Sequence, residues 1–245
     1  MTTWGAGASH LGTASLAGLI AGVLVGGLLG RVAMRVSGFT AGPSMVGART
    51  ENGNLVGDIT VGGTFALVVF VGIASGLLGG ILYALLEPWL RGMRPWHGLV
   101  YGVALLAAFG FTVFDPFNFD FTRFGSAPLN IAMFAALFVV FGVLTAWLFD
   151  RLRALPALSG TTARAVDLLA LFSLAMAGFF VASAGVDGLS GNVLVALGIF
   201  GALALAALVR WRGLPLQVGY ACLVGALALG ATRTIGNVLH LLYGF

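Results

Sequence analysis

Arg31, Arg35 and Arg233 stand inside stretches that are otherwise apolar, where a guanidinium is costly unless it is paired, hydrated or able to reach lipid headgroups. Arg31 and Arg35 are four residues apart, so on a helix they share a face. Their planar forks of N–H donors match a carboxylate or a phosphate, which makes anion binding the chemistry to consider. Counted along their helices at 1.5 Å per residue, Arg31 and Arg233 both lie about 25 Å from the near side of the membrane, in one layer. Asp115 falls at a similar level, and Asp120 and Arg123 follow it in the same joint. These six residues are the expected lining of an outward-facing pocket for a small anion, a carboxylate or a lipid phosphate. A purely structural alternative has the long side chains snorkel to the surface, or pair with Asp115 or Asp120.

That joint, Phe114-Asp115-Pro116-Phe117-Asn118-Phe119-Asp120-Phe121-Thr122-Arg123-Phe124, alternates phenylalanine with polar residues. Such a segment lies at an interface with its rings down, as an anchor or as the lid of the pocket. Further on, Gly188-Leu189-Ser190-Gly191 resembles the Gly-x-Ser-Gly nucleophile motif of rhomboid intramembrane proteases, and His240 is expected on the same side of the membrane. The resemblance implies a serine and histidine dyad. It covers four residues and one histidine, and it departs from the family in placing the histidine one helix after the serine and in lacking a His-x-x-x-Asn companion. Read from the residues alone, Ser190 caps a helix after a glycine turn.

Other chemistries lack their residues. All twelve basic residues are arginine; without lysine there is no retinal or pyridoxal Schiff base and no standard phosphate loop. The single cysteine, Cys222, excludes an intrachain disulfide and a cysteine-based metal cluster. His10, His97 and His240 fall on different sides of the membrane, so no metal or haem site is expected, and no cofactor.

The elements that position these residues follow from composition. With 60% hydrophobic and 8% charged residues, the chain has too little polar surface to cover a water-soluble globule. The fold class is therefore all-α, a polytopic bundle of about seven transmembrane helices forming one membrane domain over residues 1–245. Apolar runs long enough to cross about 30 Å of hydrocarbon are expected at 14–36, 64–86, 97–114, 129–149, 165–186, 191–209 and 216–243. Pro88 and Pro95 bracket one joint, and Pro128 opens the fourth helix. In the first outer joint, Asn52-Gly53 between extendable segments predicts a short β-hairpin, with a plain loop as the alternative. No cleaved signal peptide is expected.

Arginines cluster in alternate joints: Arg91 and Arg94, then Arg151, Arg153 and Arg164, then Arg210 and Arg212. Those joints are expected to be cytoplasmic, in a bacterial plasma membrane, with the N-terminus inside and the C-terminus outside. The basic charge is thus a topology signal and not a nucleic-acid patch. Gly18, Gly22, Gly26 and Gly30 recur every four residues, as do Gly72, Gly76 and Gly80. Each set makes a smooth face, the pattern of a glycine zipper, for close packing within the subunit or against a second copy. A weaker version runs through Cys222, Ala226, Gly230 and Thr234.

The leading functional expectation is binding or translocation of a small anionic solute or lipid through the arginine pocket, without enzymatic activity. A structural or assembly subunit of a larger membrane complex, or a homo-oligomer, is the alternative; intramembrane serine hydrolysis at Ser190 and His240 comes last.

Overall fold

The computed structural model describes residues 3–42, 45, 48, 61–118, 124–155, 161–186 and 191–244. The hairpin expected around Asn52-Gly53 lies outside the described residues, as do Asp120, Arg123 and Ser190. The described residues are helical, without strands. They form seven rods. α1 is one continuous helix made of Thr3–Ala21, Gly22–Leu29 and Gly30–Thr40; α2 likewise joins Val61–Ala66, Leu67–Ile73, Ala74–Leu90 and a final 3₁₀ turn, Arg91–Met93. α3 is His97–Phe109 with a 3₁₀ extension, Gly110–Thr112; α4 is Ala127–Arg153, α5 Thr161–Val186, α6 Gly191–Arg212 and α7 Leu216–Tyr243. Among the described residues, all of these except α3 are long and apolar enough to cross a membrane, and α3 is a shorter apolar helix. The chain is a multi-pass membrane bundle.

Several rods overrun the apolar runs. α1 and α2 continue for 32 and 33 residues as spans, about 50 Å each, against about 30 Å of hydrocarbon. The helical hydrogen-bond ladder needs no lipid to continue, and the overrunning turns carry the residues that reach the interface. Pro88, expected to mark a helix end, sits inside α2. Its missing N–H leaves the Ala84 carbonyl without the usual donor four residues on. His10 of α1 takes that place, with Nε2 3.4 Å from the Ala84 oxygen. Pro128 does occupy the first turn of α4, where no intrahelical donor is needed.

The two glycine stripes face each other. A β-carbon on Gly76 would come within 3.0 Å of the Gly22 Cα, and one on Gly80 within 2.7 Å of the Ser15 Cα. Toward the far end the contact slackens: a β-carbon on Gly26 would meet Gly72 at an ordinary 3.5 Å. At that level both rods change to π-helix, over Gly22–Leu29 and Leu67–Ile73, and these wider turns pack against each other. A third close approach joins α3 to α4, where a β-carbon on Gly98 would lie 2.9 Å from the Val143 Cα and one on Gly102 2.7 Å from the Val139 Cα. In lipid, where apolar side chains gain little by meeting, such backbone proximity supplies dispersion contacts across long stretches.

Contacts fix the direction of each rod. Gly18 opposite Gly80 with Gly22 opposite Gly76 makes α1/α2 antiparallel, and Gly98 opposite Val143 with Gly102 opposite Val139 makes α3/α4 antiparallel; Gly219 against Val209 sets the start of α7 beside the end of α6, and Gly12 against Val166 sets the start of α5 beside the start of α1. Hence the start of α1, the ends of α2, α4 and α6, and the starts of α3, α5 and α7 gather at one end of the bundle. That end holds Arg91, Arg94, Arg151, Arg153, Arg164, Arg210 and Arg212.

Candidate functional site

Two groups of polar residues lie at opposite ends of the bundle. The better connected one, at the arginine-rich end, centres on Glu87, which is only 2% exposed. Its two carboxylate oxygens share the single Nε–H of Arg91, each at 2.8 Å, one turn along the same helix. From α4, Arg153 brings a guanidinium nitrogen to 3.8 Å. A carboxylate so enclosed requires compensation, and the two arginines supply it while their own outer portions stay in contact with solvent. Beside it, Arg94 donates to Asp150 across 2.8 Å and His97 Nε2 lies 3.3 Å from the other Asp150 oxygen, tying the start of α3 to the end of α4.

An aromatic core stands directly above these ion pairs. The Phe149 ring meets His10 edge-on at 5.2 Å and Tyr83 at 5.1 Å, and Tyr83 meets Tyr101 at 5.0 Å. Four rods, α1 to α4, therefore converge on one patch. Tyr101 is fully buried and its hydroxyl donates to the Gly79 carbonyl. The Tyr83 hydroxyl is equally buried and has no hydrogen-bond partner among the described residues. At the rim, Arg210 stacks over Trp89 and Arg151 over Trp147, at 5.8 and 5.6 Å from the ring centroids. Arginine with tryptophan suits a membrane interface, where the ring is half in oil and the cation in water.

This cluster escapes a reading of the sequence because its members are scattered from His10 to Arg153 and each looks like an isolated topology marker. One local signal exists: Glu87 and Arg91 at a spacing of four. Its partners across helices depend on tertiary packing.

At the other end lie the arginines that the sequence singles out. Arg31 and Arg35 are both half-buried on α1. Ala33 and Ser37, which alternate with them by two residues, are buried. Ser37 Oγ donates to the Phe124 carbonyl at 3.2 Å, just before α4. Two residues correspond to about 200° of helix, so Arg31 and Arg35 project from the flank opposite this contact. The Arg35 guanidinium sits 4.8 Å from the centroid of the Phe39 ring, itself 74% exposed.

Arg233 is exposed on α7, which packs mainly against α3 and α6 and more lightly against α4, whereas α1 packs against α2, α4 and α5. One turn beyond Arg233, Asn237 donates to the Phe111 carbonyl at 3.3 Å. Thr234 donates to the Ala107 carbonyl at 3.4 Å, so α7 side chains satisfy carbonyls where α3 tightens into its 3₁₀ turn. Asp115 is half-buried in the following joint; its Oδ1 accepts from the Phe117 amide at 3.0 Å, a turn-forming bond. The Phe117 ring then lies 6.1 Å from that of His240. The joint thus reaches α7 through Phe117 and α1 through Phe124.

Among the described residues, no group of three His, Cys, Asp or Glu side chains is placed to hold a metal ion. Neither protein-family models, nor curated proteins, nor solved structures give a match to this chain.

Proposed function

We propose that this membrane protein binds or translocates a small anionic solute or an anionic lipid at its arginine-poor end, with Arg31 and Arg35 as the primary contacts and Arg233 as a separate cation. The proposed setting is a bacterial plasma membrane, with the arginine-rich end cytoplasmic, the N-terminus inside and the C-terminus outside; the gathering of seven arginines at one end supports it. The observation that carries the binding reading is the pair of half-buried guanidiniums on the flank of α1 turned away from α4. About 30 Å of helix separates His10, at the arginine-rich end, from Arg31. That distance sets both residues at the far boundary of the hydrocarbon, at headgroup depth.

Thermal unfolding in detergent, run against a panel of anions and anionic lipids, tests this reading. At least one ligand is expected to raise the midpoint of the parent protein, and Arg31→Gln or Arg35→Gln to abolish that rise. Equal midpoints for parent and variants across the whole panel contradict it.

A further inference from the structure

α3 and α4 meet along a seam of small residues, with Gly98 against Gly142 and Ala146 and Gly102 against Gly142. Leu99, Val103, Val143 and Trp147 each follow one of these residues in sequence, and each is exposed. One residue is about 100° of helix, and in an antiparallel pair that step turns the side chains of both helices to the same side. The four side chains therefore wall one shallow groove with the seam as its floor. At the arginine-rich end the groove becomes cationic. Arg151, one turn beyond Trp147 on the same α-helix, is exposed and stacks on the Trp147 ring, 5.6 Å from its centroid. Arg94, whose side chain is half-exposed, donates from Nη2 to Asp150 across 2.8 Å. We infer that this groove binds one anionic phospholipid of the leaflet at the arginine-rich end, its phosphate held by Arg151 beside Arg94 and an acyl chain lying between α3 and α4. The inference is independent of the anion-binding reading above, which concerns the opposite end of the bundle.

Stacking engages the face of the Arg151 guanidinium and leaves its N–H donors, which lie in the plane of the group, directed at any acceptor beyond the ring. The other arginines of this end are differently placed. Arg91 and Arg153 serve the buried Glu87 carboxylate. Arg210 also stacks on a tryptophan, but that ring, Trp89, is packed against Gly219 and Tyr220, with no open groove below it. Arg94, Asp150 and Arg151 together carry one positive charge, which one phosphodiester balances, whereas a zwitterionic headgroup brings its own cation. Depth agrees as well. From Arg151 to Val143 is about 12 Å of helix, within the roughly 15 Å of hydrocarbon in one leaflet. A phospholipid thus presents phosphate and chain in the order in which the groove presents arginine and apolar walls, and the close seam gives the chain a surface to fit rather than a hydrophobic driving force.

The test is photo-cross-linking of the full chain in dioleoyl phosphatidylcholine nanodiscs, with the labelled peptides identified by mass spectrometry. The probes are phosphatidylglycerol and phosphatidylcholine carrying a diazirine in one acyl chain, each added at the same trace level. Phosphatidylglycerol is expected to label residues 99–103 and 143–147 about tenfold more than phosphatidylcholine does. Arg151→Gln, which alters an exposed side chain, should remove most of that margin; Arg151→Lys, which keeps the charge but not the fork, should restore part of it. Arg31→Gln/Arg35→Gln should leave labelling of these two segments unchanged. Equal labelling by the two lipids, or an undiminished margin in Arg151→Gln, overturns the inference. So does displacement of the label by sn-glycerol 3-phosphate as effective as that by unlabelled dioleoyl phosphatidylglycerol, which would make the site one for a soluble anion. Labelling by phosphatidylglycerol confined to α1 also overturns it, while leaving the reading at the opposite end standing.

Discussion

His10 of α1 reaches the carbonyl of Ala84 in α2, the one whose helical donor is removed by Pro88. A proline that would otherwise leave an unmet acceptor inside the bundle becomes the point at which a neighbouring helix attaches. His10→Ala should destabilise the protein by about 1 kcal/mol. In a Pro88→Ala background, where the ladder regains its own donor, that loss should shrink. A double-mutant cycle by thermal unfolding measures the coupling, and strict additivity would contradict the account.

The glycine stripes predict a graded response along one interface. Gly76→Ala places a β-carbon 3.0 Å from the Gly22 Cα, against backbone that has no side chain to move aside. A loss of about 1–3 kcal/mol is expected. Gly26→Ala meets its neighbours at 3.5 Å, and gains helix propensity of about 1 kcal/mol, so it should be neutral or stabilising. Unfolding midpoints of the two variants check the order.

Two buried tyrosines should respond oppositely to loss of their hydroxyls. Tyr101→Phe deprives the Gly79 carbonyl of a donor and should cost about 1 kcal/mol. Tyr83→Phe removes a buried hydroxyl without a partner among the described residues and should be neutral or stabilising. A larger loss for Tyr83→Phe than for Tyr101→Phe would show that the Tyr83 hydroxyl has another role.

At Glu87 the two sides of the ion pair are unequal, because the carboxylate is buried and both arginines reach solvent. Glu87→Gln leaves cations that can rehydrate, so it should cost only about 1 kcal/mol. Arg91→Gln strands a buried carboxylate with the more distant Arg153 and should cost more. Denaturation of both variants at neutral pH compares them.

The helical class and the approximate rods were legible because apolar length is a local property, and Pro128 marked a helix start for the same reason. The facing of Gly18, Gly22, Gly76 and Gly80 could be read as two smooth stripes, though their pairing required the antiparallel arrangement of α1 and α2. Gly98 and Gly102 carried the same spacing, and their partner Gly142 stands alone in its helix, so the α3/α4 contact was hidden. The π-helical turns left no composition signal, since Gly22–Leu29 and Leu67–Ile73 read as ordinary apolar helix. Arg31 and Arg35 were recognisable as one face from their spacing. Which wall that face belongs to depended on the burial of Ala33 and Ser37, which no local pattern specifies.

In the proposed orientation the bundle crosses the membrane with Arg31 and Arg35 at the face opposite the arginine-rich joints. It is tested by labelling intact cells with a membrane-impermeant maleimide, using Phe39→Cys and Arg151→Cys separately in a Cys222→Ala background. The cysteine at 39 is expected to be labelled in intact cells and the one at 151 only after permeabilisation. Labelling of both from the same compartment would contradict it.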